Sequence, residues 1–198
     1  MKLAKIFTKT EDLQKELAEL DHAFASYPKK RVMTSGGFDP LHIGHLRCIQ
    51  ESAMIADYKF GILIVVVNGD GFLIRKKGKP FMPHAERMEI VAGLKGVDYV
   101  LGWDDGSQTV TGAIDIIRPS IFTKGGDRSE AAVVPEFELC NHIGCKVIFG
   151  VGGKDKLQSS SDLIKNSNHH DNNNEACPLN DPETFANPVT SGLGCNCK

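Results

Sequence analysis

Two histidines, His42 and His45, close the stretch TSGGFDPLHIGH that runs from Thr34 to His45, in a chain with only seven histidines. Imidazoles three residues apart at the start of a helix stand about one turn from each other. Near neutral pH they can be drawn cationic by phosphate oxygens and donate hydrogen bonds to them. Gly36, Gly37 and Gly44 leave room for the backbone to approach a phosphate closely, and the stretch carries no GxxxxGK[ST] or GxGxxG spacing. The phosphate charge would therefore fall to the histidines. No carboxylate dyad stands beside them, which suits a nucleophile that is already an anion and needs no strong general base. Catalysis in such a site is positioning plus stabilisation of charge on an in-line displacement. The plainer alternative is that both histidines cap or pack a helix start.

A strand, a turn and a helix must hold this stretch. RVMTS reads as a strand, GHLRCIQESAMIAD as a helix and ILIVVVN as a fully apolar strand. Continuous apolar strands alternating with amphipathic helices indicate a parallel sheet covered on both faces. The alternation continues through PHAERMEIVAGL (helix), YVLG (strand), TVTGAIDIIR (helix), SIFTK (strand), VVPEFELCNHIG (helix) and KVIFG (strand), with a last short helix from the serine run. The expectation is an α/β, Rossmann-like, doubly wound sheet of five parallel strands. Before it, Leu13, Leu17, Leu20 and Phe24 recur at helical spacing, and Thr8 with Glu11 has the form of a capping box. We divide the chain into an amphipathic extension (1–30), the main domain (31–165) and an asparagine-rich tail (166–198). Arg75, Lys76, Lys77 and Lys79 read as a basic loop, either solvated surface or a lid over phosphates.

The net charge of −2 gives no global attraction to nucleic acid or anionic lipid, so neither is an expected partner. The longest apolar run, Ile62 to Val67, is too short to span a bilayer. No signal-peptide pattern opens the chain, and a cytoplasmic location is the default. Cys48, Cys140 and Cys145 sit in apolar or helical patterns and read as reduced thiols. His169, His170, Cys177, Cys195 and Cys197 match no common zinc spacing, and no protein-held metal is expected.

Taken in order, His42-Ile43-Gly44-His45 after Gly37-Phe38-Asp39, the block NGDGFLIRKKGKPFMPHAERMEIVAGLKGVDYVL, KGGDR from Lys124 to Arg128 and LQSSSDLIK from Leu157 to Lys165 resemble the HxGH nucleotidyltransferases, the cytidylyltransferase-like superfamily. The resemblance runs from about Arg31 to Lys165. KGGD is similar to the heptose 1-phosphate adenylyltransferases, and glycerol-3-phosphate cytidylyltransferases share the general pattern. The letters HIGH also mark class I aminoacyl-tRNA synthetases, which are much longer and carry a KMSKS loop that this chain lacks.

The resemblance implies transfer of a nucleoside monophosphate, AMP ahead of CMP, from Mg²⁺-bound ATP or CTP to a phosphorylated small molecule, with pyrophosphate released. A non-catalytic nucleotide-binding module is the other reading. The resemblance assigns catalysis to His42 and His45, and nucleotide binding to Gly36, Gly37, Phe38, Gly44, Arg87, Lys124, Ser159, Ser160 and Ser161. Asp39, Asp70 and Asp127 fall on the acceptor side. It also implies a homodimer. Three positions depart from the pattern: Gly37 replaces the usual Thr, Ser or Cys, Arg128 replaces an aromatic, and GGKDKLQSSS lacks the RTxGIST wording.

Overall fold

The computed structural model describes residues 3–57, 60–125, 135–153, 160 and 163–164. By internal contacts the chain divides into two units, Met1–Leu163 and Ile164–Lys198. Every strand and helix named below belongs to the first unit. Asp127, Arg128, Lys154, Lys156, Ser159, Ser161 and the tail from 166 onward lie outside the described residues.

The sheet has six strands rather than five, all parallel: β1 (Lys5–Phe7), β2 (Lys30–Gly36), β3 (Gly61–Asn68), β4 (Tyr99–Trp103), β5 (Ile121–Gly125) and β6 (Lys146–Val151). Their order is β1-β4-β3-β2-β5-β6. The added strand is β1, three residues that pair Lys5, Ile6 and Phe7 with Tyr99, Val100 and Leu101. Within the first thirty residues, β1 thus joins the sheet, and the helix Thr10–Ala23 that follows it buries Leu13 and Leu17 in the core.

The helices are α1 (Thr10–Ala23), α2 (Ile43–Ala56), α3 (Asp70–Lys77), α4 (His84–Ala92), α5 (Thr111–Ile117) and α6 (Pro135–His142). They cover both faces. Leu13 and Leu17 of α1, Ile114 of α5 and Cys140 of α6 close one core over Met33, Ile64, Leu101 and Phe122. Ile49 and Ala53 of α2 with Met88 and Val91 of α4 close the other over Val32, Val65 and Val100. All eight residues of β3 are buried, which is why its sequence is apolar without alternation.

The predicted capping box at Thr8 and Glu11 does not form. The helix starts later, with Lys9 at the N-cap and no side-chain cap, so Thr8 stands one residue too early. The basic run read as a loop is mostly the last turn of α3. There Arg75, Lys76 and Lys77 meet the negative end of the helix dipole, and Gly78 at φ +87° ends it.

From β2 the chain winds outward through β3 and β4, then returns to the other side of β2 through β5 and β6. The reversal lies between β2 and β5, and in open α/β sheets ligands bind outside the strand C-termini at that point. The seam is polar inside. Thr34 Oγ1 donates to Thr123 O at 3.2 Å, and Ser52 Oγ of α2 lies 2.7 Å from Thr123 Oγ1. These contacts register α2 against the crevice.

Candidate active site at the strand reversal

The loop after β2 delivers both histidines to this crevice. His42 is the N-cap of α2, and its Nδ1 accepts the Gly44 amide proton at 3.2 Å. A ring accepting at Nδ1 carries its neutral-form proton on Nε2, where it is a donor. His45 stacks on His42 with ring centroids 3.8 Å apart and planes 25° from parallel. Phe38 meets His45 edge-on at 5.1 Å.

Burial lowers the proton affinity of His42. His45 is pushed further, to about 3, first by burial and then by the nearby His42 and the Lys77 charge. Both rings are neutral near pH 7 until an anion reaches them.

The glycines serve close approach, and the groups that approach are the protein's own. A Cβ on Gly36 would lie 3.0 Å from the Phe38 ring, one on Gly37 would lie 2.9 Å from Leu73, and one on Gly44 would lie 3.1 Å from the His42 ring. Phe38 sits at φ +50°, a left-handed conformation unusual for an aromatic residue, so its ring folds back over Gly36.

Asp39 is 1% exposed. Its carboxylate accepts the amides of Met82 at 2.7 Å and Phe81 at 2.8 Å and pairs with Lys77 at 2.7 Å. Burial alone would raise its pKa, but the Lys77 hydrogen bond, the two amides and the Lys77 charge outweigh it and hold the carboxyl below its ordinary value. Asp39 is a clasp between the histidine loop and the segment after α3.

Arg87 is fully buried. Its Nε donates to Met82 O at 3.0 Å, Nη1 donates to Gly37 O at 2.6 Å and to Asn68 O at 2.7 Å, and Nη2 meets Asp70 Oδ1 at 2.7 Å. It is buried among these partners and not exposed on the helix surface. The Asp70 carboxylate keeps 41% of its side chain exposed, and its Oδ2 accepts the His84 amide.

Lys124 stands near the end of β5, on the α5–α6 face, 3.7 Å from Glu136 Oε1 and over the Phe122 ring. Ser160 comes back to the histidine loop, where its Oγ donates to Pro40 O at 3.1 Å. The structure thus gathers His42, His45, Phe38, Arg87, Asp70 and Ser160 around one loop. Lys124 lies across the sheet from α2.

Several contributors escape sequence reasoning. Asp104 accepts the Phe72 amide at 2.9 Å and pairs with Arg75 at 2.6 Å, and it occupies the space that Cβ atoms on Gly69 and Gly71 would need. His84 holds Val67 O through Nε2 at 3.0 Å. The pair of glycines in NGDGF is the sequence sign of Asp104, and Gly102, whose Cβ would lie 2.7 Å from the His84 ring, that of His84. Among the described residues no group of three or more His, Cys, Asp or Glu is placed to hold a metal ion, and no helix is long and apolar enough to cross a membrane.

A parallel doubly wound sheet with a histidine pair at its reversal defines an open α/β protein with its ligand crevice at those histidines. The profile of the cytidylyltransferase-like family matches residues 33–166, and the chain belongs to that family. It is 36% identical over 148 residues to the bifunctional protein HldE of Citrifermentans bemidjiense, a match covering 72% of this chain and 27% of that protein. It is 34% identical over 137 residues to HldE of Hahella chejuensis, covering 68% and 25%. The chain thus spans about a quarter of the length of these relatives. The crystal structure of a lipopolysaccharide core biosynthesis protein from Thermoplasma volcanium superposes with a TM-score of 0.50 at 27% identity, covering 61% of this chain and 94% of that one.

Proposed function

We propose that this chain transfers a nucleoside monophosphate, AMP in preference to CMP, from a Mg²⁺-bound nucleoside triphosphate to a sugar phosphate and releases pyrophosphate. The observation that carries the reading is the stacked His42–His45 pair at the N-terminus of α2. A helix start favours anions, and the neutral His42 presents an Nε2 donor beside it.

In this reading an oxygen of the acceptor phosphate attacks the α-phosphorus, the bond from that phosphorus to the bridging oxygen breaks, and pyrophosphate leaves with the electron pair. Charge grows on the non-bridging oxygens of the α-phosphate, and the histidine N–H groups bind it. Phosphate oxygens raise the proton affinity of both rings, so the clamp strengthens as charge develops. Mg²⁺, when bound, neutralises the triphosphate. Such ions are held mainly by phosphates and water, in keeping with a site whose Asp39 is spent on Lys77 and two amides.

The backbone at Gly36, Gly37, Phe38 and Gly44 lines the nucleotide. Ser160, with Ser159 and Ser161, receives the outer phosphates. Arg87 acts by fixing the Gly37 carbonyl and Asp70. The reading assigns Asp70, already neutralised by Arg87, and Asp127 to the acceptor, and Lys124 to the base or acceptor. The reading includes a homodimer whose interface is not the apolar face of α1, since Leu13 and Leu17 are buried within the chain's own core. Light scattering giving twice the chain mass checks it.

The reaction is tested by pyrophosphate release with Mg²⁺, ATP or CTP, and a panel of sugar, polyol and amino-alcohol phosphates, run beside His42→Ala. We expect release that depends on one acceptor and falls about 100- to 1,000-fold in the variant, the usual cost of removing a transition-state donor. Nucleotide binding with no release across the panel overturns the reading in favour of a non-catalytic nucleotide-binding module.

A further inference from the structure

The helix that begins at the histidines is tied by a carboxylate to the chain beyond β6. Glu51 of α2 is half-buried, and its Oε2 accepts the amide proton of Gly152 at 2.7 Å. Gly152 follows the last residue of β6 and sits at φ +88°, a conformation that residues with side chains rarely adopt. A Cβ there would lie 2.5 Å from the backbone nitrogen of Cys48 and 2.8 Å from its Cα, so the turn rests directly on the α2 backbone. The glycine lets the turn touch the helix. The carboxylate fixes it there, through one of the stronger kinds of hydrogen bond to a backbone amide.

Strand pairing does not do this work. The β5–β6 ladder shifts register between Thr123 and Gly125, so the strands alone do not set where the turn after Val151 lies. Eight residues beyond Gly152 stands Ser160, whose Oγ donates to Pro40 O at 3.1 Å, in the loop that leads to His42. The chain after β6 is thus held to the histidine element at two places, by Glu51 within α2 and at Pro40 before it. Asp39, the other carboxylate that clasps this loop, reaches the segment after α3 instead.

We propose that Glu51 is a positioning residue for the outer phosphates of the nucleotide. Through the Gly152 amide it sets the spacing between the histidines and Ser160, and so the fit of a pyrophosphate group, without touching the part of the site that holds a nucleoside monophosphate. The proposal rests on the nucleotidyl-transfer reading, which gives Ser160 to the outer phosphates.

The test is calorimetric titration of the full chain with Mg²⁺-pyrophosphate, with ATP or CTP, and with the matching nucleoside monophosphate. Glu51→Met keeps the side-chain length and removes the acceptor, whereas Glu51→Gln keeps an acceptor oxygen. We expect Glu51→Met to weaken pyrophosphate and triphosphate about tenfold, as for one hydrogen bond, and monophosphate by less than about twofold. Glu51→Gln should restore most of the loss. In turnover the same split appears as a raised triphosphate KM at an unchanged acceptor KM. Equal losses for pyrophosphate and monophosphate would make Glu51 a general support of the fold and overturn the proposal. No loss at all, or a Glu51→Gln variant as weak as Glu51→Met, overturns it too.

Should Glu51→Met fail to fold, Gly152→Ala breaks the same contact from the turn, and the same split is read. If the wild type binds triphosphate and pyrophosphate but turns over no acceptor, the transfer reading fails by itself and the split still decides the role of Glu51. A wild type that binds neither ligand overturns the proposal together with the assignment of Ser160.

Discussion

His42 and His45 stack at 3.8 Å, too close for both rings to carry charge unless an anion stands beside them. This gives stability a pH dependence. In the unfolded chain residue 45 takes a proton near the ordinary 6.5, and in the folded chain it resists to about 3. Between those values the unfolded state binds more protons, so this group's contribution is full above about pH 6.5 and is lost as pH falls toward 3. The sign follows from a depressed histidine. His42 and His84, also lowered by burial, act in the same direction. Asp39 acts in a lower window, because its carboxyl is held below 3.8 and protects the fold until pH drops through that folded value. We expect His45→Asn to flatten the loss of stability between about pH 7.5 and 5 in urea unfolding without abolishing it. Equal slopes in variant and wild type would refute the buried neutral ring.

The second scale is the way α3, α4 and the β2 loop hold one another. Arg87 donates to three carbonyl oxygens and to Asp70 from a fully buried position. Arg87→Met leaves those groups unpaired, and removing one partner of such a buried set costs about 3–5 kcal/mol. We expect a large fall in melting temperature and in kcat, with a smaller change in nucleotide KM. A raised nucleotide KM at unchanged melting temperature would instead make Arg87 a direct triphosphate contact. At the other face Leu13→Ala opens the core over the sheet and costs about 2–5 kcal/mol in denaturant unfolding, since α1 packs as part of this domain. The helix at α2 and the buried strand β3 were legible because local pattern alone selects them. The strand β1 was not, since three residues become a strand only by pairing with β4. Nor was α3, a short polar helix whose Phe72 amide is met by Asp104 from beyond the next helix. The histidine pair could be read from spacing, whereas the partners of Asp39 lie some forty residues away and only the fold brings them together.

At the scale of the whole molecule, nucleotide binding and folding are one linked equilibrium. A ligand that binds only the folded state at a hundred times its Kd adds about 2.7 kcal/mol of stability. For a domain of this size each kcal/mol is worth roughly 2–4 °C, so saturating ATP or CTP with Mg²⁺ should raise the melting temperature by about 5–10 °C. The family match ends at residue 166 and the first compact unit at Leu163. A chain ending at Lys165 should therefore keep both its melting temperature and the nucleotide-induced shift, whereas His42→Ala in the full chain should lower the melting temperature by only about 2–4 °C, the cost of the lost α2 cap, and lose part of the shift. The two variants separate the roles cleanly. Loss of the shift on truncation would mean that residues 166–198 complete the nucleotide site. A full shift in His42→Ala would mean that the imidazole adds nothing to ground-state binding and acts, if at all, only on the charge that develops as the bond to pyrophosphate breaks.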